Sequence, residues 1–304
     1  MTTSWPDLAA LELLVTVAER GSVGAAAREL GMAQPNATRS LARLERRLGC
    51  TLLERSSRGS SLTAAGLMVV EHAKATLAAG RALLDASAAL GPSEQVALRV
   101  AASQTIAEHL LPAWLATLRQ RHPEISVELH VHNSHDVIDD LRSGRVEVGF
   151  IEDPTVPRGT FRGLHTLPVA HDEMVLVVAP HHVWARRRRP VSLAELAETP
   201  LITREPGSGT RVALDEAVGT PITPHLAVSS NAAVRVSVAS GAAPAVLSRL
   251  AVDDAVSAGT LVAVPLATRI SRPLNAVWTG PRRLTGAAAQ LVAIARPGSG
   301  APTR

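Results

Sequence analysis

The sequence predicts an α/β protein: a small helical N-terminal head with a two-stranded wing, one long linker helix, and a larger C-terminal domain of alternating strands and helices. Three observations predict this. Residues 1–61 are dense in short amphipathic helix patterns punctuated by Gly21 and Gly31. Residues 62–90 read as one helix, closed by the hinge "GPSEQ" at 91–95. From Val96 onward, short apolar runs alternate with helical patterns, as in α/β sheets.

The bulk composition sets the limits. With 304 residues, 46% of them hydrophobic, the chain has room for two or three domains with real cores. Aromatics are only 2%, so Ala, Val and Leu must do the packing. The net charge is +4, and Lys74 is the only lysine, so arginine carries the basic character. Such an excess permits nucleic-acid binding without requiring it. Cys50 is the only cysteine, which excludes an internal disulfide or a two-thiol switch and fits a reducing compartment. "MTTSWPDLAALELL" has no basic region, and Asp7 and Glu12 interrupt it, so no signal peptide is expected. No apolar stretch reaches the ~18 residues of a membrane span. The expected location is cytoplasmic, with no membrane partner.

The head comes first. Leu11, Leu14, Val15 and Ala18 recur at helical spacing from about Leu8 to Arg20, and Gly21 stops that helix. Ser22 is a suitable N-cap for a second helix, Val23 to Leu30, whose Ala25, Ala26 and Ala27 allow close helix crossing. After the turn at Gly31, a third helix opens at Gln34-Pro35, where proline's missing N–H costs nothing. Two short helices so joined form a helix-turn-helix, placed at 23–42. On the third helix Ala37, Leu41, Leu44 and Leu48 form a core stripe. Pro35, Arg39, Ala42 and Arg46 lie opposite, flanked by Asn36 and Arg43. Arg can make bidentate bonds to guanine, and Asn or Gln to adenine, so this face suits a major groove. "TLLERSSRGSSLT" at 51–63 reads as a hairpin wing with Arg55 and Arg58 in reach of phosphate or the minor groove.

"SVGAAARELGMAQPNATRSLARLERRLGCTLLERSSRGSSLTAAG" resembles the DNA-binding region of the LysR-type transcriptional regulators. The shared features are the A-A-x-x-L helix, the Q-P start, the R-L-E-x-x-L-G end, the L-x-E-R wing and L-T-x-A-G opening the linker. The match is dense over about sixty residues and looser over the rest of the chain. Four positions depart from it: Ala33 replaces a capping Ser or Thr, Thr38 replaces Ser, Leu53 replaces the wing phenylalanine, and Ser60-Ser61 replaces a more apolar pair. The missing cap costs about 1 kcal/mol. The DNA-contact candidates are Ser22, Gln34, Pro35, Asn36, Thr38, Arg39, Arg43, Arg55 and Arg58, with double-stranded DNA as the partner.

Along 62–90, Val70, Leu77 and Leu84 are seven apart with Leu67 and Ala73 between, a partial heptad seam interrupted by Lys74, Gly80 and Arg81. The seam and the resemblance both imply a dimerising linker helix; packing on its own head is the other reading. The resemblance further implies homodimers that assemble to a homotetramer.

In the C-terminal zone, strands are predicted near 96–101, 125–131, 146–151, 164–169, 173–179, 200–203, 225–228, 243–248, 261–264 and 273–279. Helices are predicted near 105–121, 135–143, 192–198, 209–218, 230–240, 249–257 and 284–295. "RRRR" at 186–189 is read as a solvated loop. The resemblance implies an effector-binding domain over 91–300, folded like the periplasmic binding proteins. Its subdomain one would take 92–165 and 269–300, and subdomain two 166–268.

Ligands in such folds sit at strand ends where helix N-termini point. Three junctions qualify: Ser103, Gln104 and Thr105; Asn133 with Ser134; and "TREPGSGTR", which supplies Thr203, Arg204, Ser208, Thr210 and Arg211. Glu152, after the strand "VEVGFI", is a further candidate. Hydroxyls, helix N–H groups and arginine together predict a small anionic effector and no cofactor. For each junction the plainer reading is ordinary N-capping. "REPGSGTR" also looks like a segment in regulators of carbon-fixation and sulfur-assimilation genes. His130, His132 and His135 have a metal-compatible spacing, but no adjoining cysteine supports it and no metal is assigned.

An enzyme is not expected: "PGSGT" is neither a P-loop nor a nucleophile elbow, and no acid/base pair stands out. A solute-binding protein would explain only residues 92–300. A DNA-binding repressor with a vestigial sensor remains the closest rival to a ligand-responsive regulator.

Overall fold

The computed structural model describes residues 5–56, 59–88, 96–156, 159–161 and 163–296. Contacts divide the chain into two compact units, one holding the N-terminal 92 residues and the other most of the remainder.

The N-terminal unit begins with α1 (Leu8–Arg20), where the Asp7 carboxylate accepts from the Ala9 N–H at 3.1 Å and Gly21 closes the helix at φ 65°. In α2 (Val23–Glu29), Ser22 Oγ accepts from the Ala25 N–H at 3.4 Å. α3 (Gln34–Leu48) starts without a side-chain cap at Ala33. Strands β1 (Leu53–Ser56) and β2 (Gly59–Leu62) pair antiparallel, Leu53 opposite Leu62. Then comes α4 (Ala64–Ala88). The core joins all four helices: Leu11, Leu14, Ala26, Ala27, Ala37, Leu41, Leu44 and Leu52 are buried together with Val70 and Ala73 of α4.

Two expectations change here. Leu48 is not part of the core stripe; at the end of α3 it is 39% exposed. In α4, Val70 and Ala73 are buried in the head and Leu77 packs against the same cluster, so these seam residues serve the head itself. Leu67, Met68, Leu83 and Leu84 are exposed instead.

The helix expected from residue 62 starts later because Leu62 is held in β2 and Thr63 caps α4. Thr63 Oγ1 accepts from the Gly66 N–H at 2.9 Å and donates to the Thr51 carbonyl at 2.7 Å. The turn is so tight that a Cβ on Gly66 would lie 2.2 Å from the Leu52 carbonyl oxygen.

The C-terminal unit runs β3 (Val96–Ser103), α5 (Gln104–His109), α6 (Leu111–Arg121), β4 (Ile125–His132), α7 (Ser134–Arg142), β5 (Val148–Ile151), β6 (Gly159–Phe161) and β7 (Leu164–Val178). A 3-10 turn at Val183–Arg186 precedes α8 (Leu193–Glu198), β8 (Ile202–Arg204), α9 (Gly209–Val218), β9 (Leu226–Val228) and α10 (Asn231–Ala239). Next come β10 (Ala245–Ser248), α11 (Arg249–Ser257), β11 (Val262–Val264), β12 (Ile270–Trp278) and α12 (Gly286–Ala295). One ten-stranded sheet has the order β4-β3-β5-β12-β7-β10-β8-β9, with β6 and β11 both on β7. β4, β3 and β5 are mutually parallel, as are β10, β8 and β9. β7 and β12 are the long antiparallel strands that join these two parallel sets.

The first set packs around Leu98, Val100, Ile106, Phe150 and Leu291. The second packs on one face around Leu176, Leu196 and Leu214, and on the other around Val177, Ile202 and Val234. This is a two-part α/β domain with crossover strands, the fold class the sequence predicts.

Local departures have identifiable causes. The helix expected over 105–121 breaks at Leu110, because Pro112 in the first turn of α6 has no N–H and its ring excludes the carbonyl four residues back. The two strands expected at 164–169 and 173–179 are one strand, since β12 pairs across the expected gap from His165 to Met174, with a bulge at Leu274/Asn275, and β10 and β11 continue the ladder to Val178. The start of "RRRR" closes the 3-10 turn, and Arg187 pairs with Glu195 rather than pointing free into water. Among the described residues, no helix is long and apolar enough to cross a membrane.

The tight turn at Gly66 gives a direct test. Gly66→Ala drives a methyl into the Leu52 carbonyl, and overpacking of this kind costs roughly 1–3 kcal/mol. Denaturant unfolding of the head should show that loss, whereas Gly80→Ala, on the same helix with only ordinary contact to Leu8, should be neutral or stabilising.

Candidate functional site

On α3 the exposed residues are Gln34, Pro35, Asn36, Arg39, Arg43, Arg46, Arg47 and the terminal Leu48, while Ala37, Leu41 and Leu44 face the core. Arg39 Nη2 donates to Asn36 Oδ1 at 2.6 Å, which presents the two side chains as one exposed pair. Arg43 is exposed and Thr38 half-buried. Gln34 lies against Gly24 of α2, where a Cβ would stand 3.3 Å from Gln34 Oε1. Ser22 is half-buried and caps α2. Arg58 lies outside the described residues, and Arg55 is described only as a strand position opposite Ser60.

Glu45 has a role that spacing did not reveal. Its Oε1 accepts from the N–H groups of Leu52 and Leu53 at 2.8 and 3.2 Å, fixing the start of the wing to α3. The glutamate of the R-L-E-x-x-L-G pattern is therefore an anchor of the wing.

In the C-terminal unit the strand-end junctions converge on a buried polar cluster. Ser103, Thr105, Glu152, Thr203, Arg204, Ser208 and Thr210 are all buried. Three of them, Thr105, Glu152 and Thr210, meet at Arg272 on β12, which sequence reading missed. Its Nε and Nη2 donate to Asp172 Oδ2 at 2.9 and 2.7 Å, and Nη2 lies 2.8 Å from Glu152 Oε2. Its Nη1 donates to Thr210 Oγ1 at 3.1 Å and Nη2 to Thr105 Oγ1 at 3.5 Å. Ser248 Oγ donates to the other Asp172 oxygen at 2.8 Å. Burial pushes the Glu152 carboxyl above its ordinary range, against the downward pull of Arg272.

The two halves meet closely here. Asn231, at the start of α10, donates its N–H to Gln104 Oε1 at 3.0 Å, and Gln104 Nε2 donates to the Ser229 carbonyl at 2.7 Å. The His135 N–H donates to the Gly207 carbonyl at 3.2 Å. A Cβ on Gly209 would lie 2.5 Å from the Glu152 carbonyl oxygen, so only glycine permits this approach.

Some anticipated ligand contacts are already committed. Arg204 donates to both Glu205 oxygens at 2.9 and 3.0 Å and to Asn231 Oδ1 at 2.7 Å. Thr203 Oγ1 accepts from Arg211 Nη1 at 2.8 Å and donates to the Arg204 carbonyl at 3.1 Å. Asn133 Oδ1 accepts from the Asp136 N–H at 2.9 Å, the plain capping role. Ser103 and Ser208 differ. Both stand at N-cap positions yet make no capping bond, and their buried hydroxyls have no hydrogen-bond partner among the described residues. Ser22, Ser192 and Ser230 do cap their helices.

The head and the two-part domain both have known counterparts. Residues 8–67 match the family model "Bacterial regulatory helix-turn-helix protein, lysR family", and residues 93–299 match "LysR substrate binding domain". This chain belongs to the LysR family of transcriptional regulators. The regulator is 42% identical over 297 residues, 93% of each chain, to the HTH-type transcriptional regulator Rv2282c of Mycobacterium tuberculosis. It is 32% identical to the HTH-type transcriptional regulator YeiE of Escherichia coli, over 91% of this chain and 92% of that one. A full-length OxyR variant of Pseudomonas aeruginosa superposes with TM-score 0.65 at 24% identity, covering 96% of this chain and 93% of that one. Full-length CbnR complexed with its target DNA gives 0.60 at 24%, covering 95% and 98%. At these identities the structural likeness is one of fold. The regulator is thus a DNA-binding transcription factor with an effector-binding domain, not an enzyme.

Arg272 could not be found from motif spacing, because it lies in a β-strand pattern 62 residues beyond Thr210 and only the pairing of β12 with β7 sets it beside Asp172. Removing it strands two buried carboxylates. Arg272→Ala should lower stability by roughly 3–5 kcal/mol, as for other broken buried pairs. Without Arg272, Glu152, already raised by burial, loses the guanidinium's downward pull and titrates higher still in the folded state than in the unfolded chain. The folded state then holds more protons, and the deficit should grow as pH rises through that window. Denaturant unfolding at pH 5 and pH 8 measures both effects.

Proposed function

We propose that the regulator senses a small anion in the crevice where its two α/β parts meet, and that the bound anion changes how paired heads engage DNA. The observation carrying this reading is the pair of buried hydroxyls of Ser103 and Ser208, which have no partner among the described residues and sit at N-caps without capping. A capping explanation fails for these two and holds for Asn133. Ser208 opens the ten-residue helix α9, whose free N–H groups and positive end favour an anion. Thr105 and Thr210 flank the same cluster and are oriented by Arg272. Gln104 contributes by bridging the parts rather than by direct ligation.

The charge balance shapes the chemistry. Arg272 and Arg204 are offset by Asp172 and Glu205, which leaves Glu152 as the surplus buried carboxyl. An anion beside it binds best when Glu152 is protonated, and the acid proton is then a further donor. Sulfur oxyanions, phosphate esters and small carboxylates fit this donor set. The ligand can act on DNA only through unequal affinity for two arrangements of the protein.

The DNA reading rests on the exposed flank of α3, with Asn36, Arg39 and Arg43 entering a major groove and the wing following the backbone. The exposed Leu67, Met68, Leu83 and Leu84 of α4 fit a helix of a second copy, so the unit on DNA is a homodimer, assembling to a homotetramer. Residues 1–61, 62–90 and 91–300 would then divide the labour as head, linker and sensor, in the cytoplasm.

Three measurements test this. Arg39→Ala should weaken operator binding and reduce the slope of log K against log salt by about 0.9 for each phosphate that is no longer neutralised; an unchanged affinity and slope would remove Arg39 from the interface. Calorimetric titration with sulfate, thiosulfate, phosphate and acetate should find a binder that Ser208→Ala weakens roughly tenfold to hundredfold, the cost of a lost hydrogen bond to a charged group. DNA affinity without the anion should be intact in that variant. The vestigial-sensor reading instead expects no effect of any anion on DNA binding. Finally, anion affinity should fall as pH rises through the elevated Glu152 titration, with proton uptake on binding, and Glu152→Gln should abolish that pH dependence while keeping a donor.

A further inference from the structure

Three histidines near the end of β4 have a metal-compatible spacing, and the fold brings two of them to a different partner. His130 and His132 share one side of β4, an edge strand, because strand side chains alternate. His135 lies beyond the turn and pairs with Asp136 and Asp139. In its place stands Asp140, on α7, buried to 4% exposure. One donor atom from each of His130, His132 and Asp140 lies within 4.8 Å of the other two.

We propose that His130, His132 and Asp140 form a divalent-metal site of the zinc class, with a fourth position open to water. The ligand set is two imidazoles and one carboxylate, which suits zinc and related borderline cations. His132 Nε2 and Asp140 Oδ2 are 3.4 Å apart. Two ligands on one tetrahedral zinc, at bonds of about 2.0–2.1 Å, stand about 3.3 Å apart, so this pair needs little movement. Both histidines keep access to solvent, which leaves an entry path. Glu128 Oε1 lies 3.1 Å from His130 Nε2, so an ion taken by His130 Nδ1 would leave Glu128 as the orienting carboxylate on the other ring nitrogen.

An ion here ties β4 to α7 across the turn at Asn133–Ser134. It therefore braces one edge of the effector crevice: His132 is opposite Ser103 in the β3–β4 register, and Ser134 Oγ accepts the Glu152 N–H at 3.2 Å. The site does not depend on the anion reading, since its ligands lie outside the Arg272 cluster.

The test uses the full-length, untagged regulator dialysed against chelator. Titration with Zn2+ should show one ion per chain, Co2+ should give the visible absorption of a four-coordinate site, and the ion should raise the thermal midpoint. His130→Ala and His132→Gln, both at solvent-accessible positions, should each weaken Zn2+ binding at least tenfold and remove the Co2+ band. Glu128→Gln should weaken it by about tenfold, as an orienting carboxylate does. Absence of Zn2+ binding by the parent protein overturns the proposal, as does binding that both histidine variants retain.

Discussion

A buried guanidinium holds the effector-binding domain in register. Arg272 lies on one crossover strand and Asp172 on the other, and the same guanidinium reaches Glu152, Thr105 and Thr210. These groups come from both parallel halves of the sheet. A charge so deeply buried is tolerable only with near-complete pairing. The pairing therefore fixes how β7 and β12 cross and where the loops after β3, β5 and β8 arrive. The close approaches between the halves, from Gly209 against the Glu152 carbonyl to Gln104 against Asn231, follow from that arrangement.

The head depends on a different constraint, the division of α3 into two faces. Its aliphatic flank completes a core with α1, α2 and the first turns of α4, while its arginines remain in solvent. The head is tied together by residues other than those exposed arginines. Glu45 ties the wing to α3, Thr63 ties the wing to α4, and Gly66 lets the two backbones touch. The missing cap at Ala33 is tolerated because Pro35 in the first turn and the packing of Gln34 on Gly24 already define where the helix begins.

How much could be read in advance follows from the range of the interactions involved. Helix limits in the head were legible because caps and stops act over a few residues, as with Ser22, Gly21 and the Gln34-Pro35 start. The alternation of strands and helices was legible for the same reason. The fate of the α4 apolar residues was not, because Val70 packing on α1 and Leu84 facing solvent share one spacing. Arg272 and the single long β7 were hidden because strand pairing at distant positions decides them. At the strand-end junctions the sequence could not tell which hydroxyls cap helices and which find no partner among the described residues. Ser208 and Asn133 occupy like positions and differ only in what their side chains reach.

The central claim is that an anion binds between the two halves at the Ser103 and Ser208 hydroxyls. Hydrogen–deuterium exchange on the full-length regulator, with and without whichever of sulfate, thiosulfate, phosphate or acetate binds it, addresses that claim most directly. Slowed exchange confined to the amides around 103–109 and 203–212 is the expected result. Protection elsewhere with those two segments unchanged would contradict the account.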